Sequence, residues 1–225
     1  MSDSVTILSF GPSLFGKPME VRGSVWSMNA CYDVFMQQQN AQLMSRLSTV
    51  FEMHRPSKVL GALSVVDGMT HREHLRRLTE NGVRVVMQDV TPDVPRSVKY
   101  PIDSVENMLG IAKDNAYYGY PFWNGTPPYA LALAIYEGYD EIYMSGCDNL
   151  DPRHRRQLRS IAYLTGWARA KGVKVGGVTM NSGMPVRRYG YDFGPEWDAE
   201  QNAEMFDGWP FEVIFKNLMD WRKSP

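Results

Sequence analysis

Glu52 and His54 stand two residues apart at the end of the apolar run Thr49 to Met53, a spacing that can do acid–base chemistry near neutral pH. Histidine titrates in that range, and a neighbouring carboxylate raises its pKa. Alternate residues of a strand point to the same face, so the two side chains can meet. Most histidines are structural, and the pair stands as a candidate base. His71 and His74 lie three apart further on, a spacing open to a metal ion but without a third ligand, so no metal site is expected.

Two other strand ends carry groups suited to a phosphate. Val5 to Phe10 runs into Gly11-Pro12-Ser13-Leu14, and Glu141 to Ser145 runs into Gly146-Cys147-Asp148. Glycine lets the backbone approach an anion closely, and the serine hydroxyl and amides donate to its oxygens. A plain Gly-Pro turn accounts for the first string equally well. The chain has neither GxGxxG nor GxxxxGK[ST], which disfavours an ordinary dinucleotide dehydrogenase and a P-loop enzyme.

Arg153-His154-Arg155-Arg156 and Arg159 fall on the first turns of a predicted helix, where dipole and guanidinium forks favour the same pyrophosphate or phosphorylated acceptor. A solvated basic face is the competing reading, and Arg155 and Arg156 cannot both face one ligand. Cys147 could act as a nucleophile with His154 as its base, but a free cysteine is more often a small buried hydrophobe.

These residues need a scaffold, and 225 residues with 44% hydrophobic and 22% charged content suffice for one α/β domain with a sizeable core. Val5–Phe10, Val25–Met28, Thr49–Met53, Val83–Met87, Glu141–Ser145 and Val173–Val178 read as strands. Helices are predicted over the Gln-rich Ala30–Leu47, over Met69–Asn81 with Gly82 closing it, and over Pro128–Glu137, apolar all round and ended by Gly138. Another runs from Asp151-Pro152 to Lys171 with a stripe of Leu158, Ile161, Ala162, Thr165 and Ala168. The proline-rich Thr91–Pro101 reads as an extended loop across the top of the sheet.

The alternation predicts a Rossmann-like, doubly wound, mostly parallel sheet with helices on both faces and a ligand crevice beyond the carboxyl ends of its strands. This nucleotide-binding domain is expected over 1–182. The stretch 183–225, where Tyr189, Trp197, Phe206, Trp209 and Phe215 are interleaved with acidic residues, is expected to pack on the domain or a second subunit, or to form a lid. A net charge of −1 argues against a protein that binds nucleic acid through its phosphate field alone. Cys31 and Cys147 lack a metal-ligand spacing and suit a reducing compartment. The first apolar run is too short for a signal peptide or membrane span, so a soluble, cytoplasmic protein is expected.

Gly125-Thr126-Pro127-Pro128-Tyr129-Ala130-Leu131-Ala132-Leu133-Ala134-Ile135, followed by Gly138-Tyr139-Asp140-Glu141-Ile142-Tyr143-Met144-Ser145-Gly146-Cys147-Asp148, resembles the central segment of the CMP-dependent bacterial lipooligosaccharide sialyltransferases. Ser9-Phe10-Gly11-Pro12-Ser13-Leu14 and Trp26-Ser27-Met28-Asn29 are similar to that family's first two strand ends, in the same order. The archaeal hydroxymethylpterin pyrophosphokinases look like members of the same group. Phe51-Glu52-Met53-His54, Val86-Met87-Gln88 and Ser97-Val98-Lys99-Tyr100-Pro101 look like a phage-encoded branch of it. The resemblance covers roughly residues 5 to 178. It implies that Gly11, Ser13 and Asn29 touch nucleotide phosphates and ribose, and that Thr126, Gly146 and Asp148 line the same crevice. Ser9 replaces the first glycine of the family's Gly-x-Gly-Pro-Ser, and the arginine turn stands where the family places two tyrosines.

The expected function is a nucleotide-dependent transferase, glycosyltransferase-like, with a nucleotide or nucleotide-sugar donor. Glu52, His54 and His154 are the candidate catalytic residues. Gly11, Pro12, Ser13, Asn29, Thr126, Gly146 and Asp148 would hold the nucleotide, and Arg153, Arg156 and Gln88 a phosphate or the acceptor. A DNA base, a nucleotide and a glycan all remain open as acceptor, as do a divalent ion and a homo-oligomer. The alternatives are a module that sequesters a nucleotide without catalysis and a phage assembly protein on a nucleotide fold.

Overall fold

Among the described residues seven short strands pair into one sheet in which every pairing is parallel. The computed structural model describes residues 3–9, 21–31, 41–63, 67–111, 116–117, 120–147 and 156–177. In chain order the elements are β1 (Ser4–Leu8), β2 (Ser24–Met28), α1 (Ala41–Arg46), β3 (Leu47–Glu52), α2 (Pro56–Val59), α3 (His71–Glu80), β4 (Arg84–Met87) and β5 (Val98–Lys99). Then come α4 (Ile102–Leu109), β6 (Ala116–Tyr117), β7 (Tyr120–Pro121), α5 (Thr126–Tyr136), β8 (Glu141–Ser145), α6 (Arg156–Ala170) and β9 (Lys174–Gly177). The sheet order is β5-β4-β3-β2-β1-β8-β9, and β6 and β7 form a separate antiparallel pair. The order reverses between β1 and β8, which is the switch point where a doubly wound sheet opens a crevice. The fold is Rossmann-like.

Two apolar layers flank the sheet. Trp26, Met28, Phe51, Val86, Ile142 and Met144 pack with Leu131 and Ile135 of α5 and Ile161 and Leu164 of α6. Leu8, Val25, Val50, Val85 and Met87 pack on the other side with Leu43 of α1 and Leu75 and Leu78 of α3. Helix α5 is buried along Ala130–Ile135 because it lies between α4, α6 and the sheet, which explains why its sequence is apolar all round. Helix α3 starts with a full capping box, Thr70 and Glu73 bonding each other's backbone N–H.

Several boundaries differ from expectation. Leu47 and Ser48 belong to β3, since the apolar face of that strand continues one pair further toward its start than the helical pattern allowed. The proline-rich stretch is not all loop: Val98 and Lys99 pair with Val86 and Met87 as an edge strand, where prolines outside the two paired residues cost no ladder bond. On α6 the buried line runs through Gln157, Ile161, Leu164, Thr165 and Ala168, while Leu158 and Ala162 are only partly covered. The proposed start of that helix at Asp151 and the whole 183–225 segment lie outside the described residues. Among the described residues, no helix is long and apolar enough to cross a membrane.

Candidate functional site

Parallel strands bring their carboxyl ends to one edge, and there the predicted polar residues collect. Strand alternation places Glu52 on the α3 side, in line with Val50, and the carboxylate is 1% exposed. Its Oε1 accepts the His54 backbone N–H at 3.0 Å and His54 Nδ1–H at 2.7 Å, and its Oε2 accepts from His71 Nε2 at 2.7 Å. Burial drives Glu52 toward its neutral form, but the bonds from the two histidines outweigh it and bring the pKa down to about 2. The bond to Glu52 raises the His54 pKa above 6.5, with partial burial opposing. An ionised carboxylate only accepts, so His54 carries its proton on Nδ1 and the neutral ring presents Nε2 as an acceptor. The His54 side chain is 54% exposed, so that nitrogen has access to solvent and to a ligand.

The neighbouring strand ends are tied to this one. Gln88, past β4, donates through Nε2 to the Met53 carbonyl at 2.6 Å. Asn29, past β2, donates its N–H to Phe51 O at 2.7 Å. Continued alternation would send the Asn29 side chain to the α3 side; instead its left-handed backbone, φ 52°, brings Oδ1 to 3.5 Å from Thr126 Oγ1 at the start of α5. Asparagine is one of the few residues that takes this conformation readily. At the switch point, Ser9 N–H donates to Ser145 O at 2.9 Å, and Gly146 follows with φ 69°.

An aromatic buttress holds the loop before Thr126. Trp123 stacks on Tyr129 at 4.6 Å and donates its indole N–H to the buried Glu106 of α4 at 2.7 Å, while Tyr100 O–H donates to Tyr129 O at 3.1 Å. Gln157 from α6 lies where a Cβ on Gly125 would sit, so only glycine at 125 leaves that amide its place beside the first turn of α5.

Of the sequence-derived candidates, Glu52, His54, Gln88, Asn29, Thr126 and Gly146 therefore share one edge. Gly11, Pro12, Ser13, Asp148, Arg153 and His154 lie outside the described residues, as does the side chain of Arg156. Cys147 is buried, with its thiol 3.7 Å from Ser145 O, the environment of a small hydrophobe. His71 and His74 turn to different carboxylates, His71 to Glu52 and His74 to Asp67 at 3.1 Å. The role of His71 went unread because it needs the knowledge that α3 begins beside the end of β3. A cleft of about 640 Å³ opens at the opposite, amino edge, lined in part by Asp3, Gly23, Arg46, Glu137 and Tyr139. There Glu137 is held by Arg84 and Arg46 by the Val21 carbonyl.

No family model matches the sequence, and no curated protein is similar to it. Several solved structures are similar in fold, among them these three. The sialyltransferase CstII of Campylobacter jejuni with cytidine-5'-monophosphate has a TM-score of 0.53 and 18% identity over 81% of each chain. An apo α-2,3-sialyltransferase from Campylobacter jejuni reaches 0.51 and 16% identity over 80% of this chain and 77% of its own. CST-II with a trisaccharide acceptor and CMP also reaches 0.51 and 16% identity, over 80% and 82%. The chain shares the fold of these sialyltransferases. The Rossmann-like fold expected from the sialyltransferase resemblance is thus the fold found.

Proposed function

We propose that this protein is a nucleotide-sugar-dependent glycosyltransferase whose donor lies across the β1/β8 switch point and whose acceptor is deprotonated by His54. The observation that carries the reading is a solvent-facing imidazole, held by a buried carboxylate, on the same sheet edge as the switch crevice. Support comes from the fold shared with sialyltransferases solved with CMP, and CMP is the first donor nucleotide to test. Gly11, Pro12, Ser13 and Asn29 would bind the donor phosphates and ribose, with Thr126, Gly146 and Asp148 lining the crevice. Arg153, Arg156, His154 and Gln88 would face a phosphate or the acceptor.

In the reaction the acceptor hydroxyl attacks the anomeric carbon of the sugar. The bond from that carbon to the phosphate oxygen breaks, the nucleotide leaves with the bonding electrons, and the hydroxyl proton passes to His54 Nε2. Glu52 remains ionised and stabilises the imidazolium that forms.

A thermal-shift screen against CMP, CDP, UDP, GDP, ADP and nucleotide sugars, with and without magnesium, tests the donor site, because selective binding to the native state raises Tm. A selective shift lost in Ser13→Ala and Asn29→Ala is expected, and no shift with any of them at millimolar concentration overturns the donor reading. His54→Ala should keep the shift and lose about 10²–10⁴-fold in transfer. Unchanged transfer in His54→Ala removes the histidine from the mechanism.

A further inference from the structure

Glu52 has two oxygens and an imidazole to steer with only one of them. Oε1 takes both bonds from His54, which leaves Oε2 in a side chain that water does not reach. The last torsion of a glutamate is broad, so the bonds on Oε1 alone leave the carboxylate free to turn. His71 Nε2 meets Oε2 at 2.7 Å. We propose that His71 is a positioning residue for His54: by holding Oε2 of Glu52 it fixes the carboxylate plane, so that Oε1 faces His54 Nδ1 and His54 Nε2 faces the crevice. This rests on the reading of His54 as the base.

The fold explains why His71 can do this. It is the first residue of α3, and the capping box between Thr70 and Glu73 fixes where that helix starts. Its backbone N–H donates to the Ala62 carbonyl at 2.8 Å, and its own side chain is 8% exposed, so the ring has little room to move. Glu52 accepts only, which requires a proton on His71 Nε2 as well as on His54 Nδ1. The two histidines thus approach one carboxylate from two elements, one ring exposed at the strand end and the other buried at the helix start. Glu52 is the charged group that acts on His54, and His54 and His71 are the titratable groups that act on Glu52.

The test is nitrogen-15 NMR of the full chain with labelled histidine, which reports the protonated nitrogen of each ring without any ligand. In the wild type His54 is expected with its proton on Nδ1 above its titration, and His71 with a proton on Nε2. His71→Leu should lose the single His54 tautomer and give a mixture, whereas His71→Gln, whose amide still donates, should restore it. A His71→Leu variant that keeps the Nδ1–H tautomer overturns the proposal, and so does a His71→Gln variant that behaves like leucine. Should the leucine variant not fold, an unprotonated Nε2 on His71 in the wild type overturns it alone. Full transfer by His54→Ala would instead sink the base reading and leave the tautomer result standing.

Discussion

Gln88 Nε2 donates to the carbonyl of Met53 at 2.6 Å, so the end of β4 braces the turn that separates Glu52 from His54. The Gln88 residue is exposed, and water can take over the bond to the carbonyl. Gln88→Ala is therefore expected to lower unfolding free energy by no more than about 1 kcal/mol. Its effect on transfer should be larger than on stability, because the turn also sets the direction of the His54 ring. Urea denaturation and turnover on the same preparation separate the two, and an unaltered turnover refutes the bracing role.

Stability should depend on pH through Glu52 and His54 in opposite senses. The Glu52 pKa falls from 4.5 to about 2 on folding, so its contribution is complete above pH 4.5 and is lost as pH falls toward 2. By linkage that contribution is roughly 3 kcal/mol at most. The His54 pKa is raised above 6.5 by its bond to Glu52, so its contribution is complete below 6.5 and fades as pH rises through the folded-state value. Stability should peak between pH 4.5 and 6.5. Denaturation curves across pH 2 to 8 check this, and Glu52→Gln should flatten the acid side.

Trp123→Phe keeps the stack on Tyr129 but removes the donor to the buried Glu106. Loss of a bond to a buried carboxylate is expected to cost about 1–3 kcal/mol. Because the indole anchors the loop that leads to Gly125 and Thr126, nucleotide affinity should weaken as well. Chemical denaturation and a ligand titration follow the two effects, and unchanged affinity removes the loop from the binding site.

Arg84 forks onto Glu137 with bonds of 2.6 and 3.0 Å, and its guanidinium lies 5.3 Å from the centre of the Trp26 ring. Arg84→Lys keeps the charge and loses the fork, so a loss of about 1 kcal/mol is expected despite the conservative exchange. A double-mutant cycle with Glu137→Gln isolates the pair, and a coupling near zero rejects it as a tie between β4 and the end of α5.

The six longer strands of the parallel sheet were legible because each is an apolar run closed by a glycine or polar residue, and a buried parallel strand needs little else. Helix α5 was legible from its composition for the same reason. The edge strand Val98–Lys99 was hidden because two residues carry no periodicity, and α4 because its mix of Ile102, Val105 and Leu109 with acidic residues follows a proline-rich stretch. In the site, Glu52 and His54 could be paired from spacing alone. His71 could not, since its partner lies nineteen residues earlier and the contact depends on α3 starting beside the end of β3. Asn29 was placed by motif, but its turn toward Thr126 follows from a backbone conformation that composition does not encode.

The reversal of strand order sets a timetable for synthesis. Strands β1 to β5 can pair one after another as they emerge, each next to the strand before it. The other side of β1 has to wait for residues made much later, since Leu8 pairs with Ser145 and Val5 with Ile142. Closing so long a stretch of chain is slow and entropically costly. Until β8 docks, a nascent chain displays an uncovered edge on β1 and has no switch-point crevice. A ligand for that crevice would therefore recognise only chains whose two halves have joined.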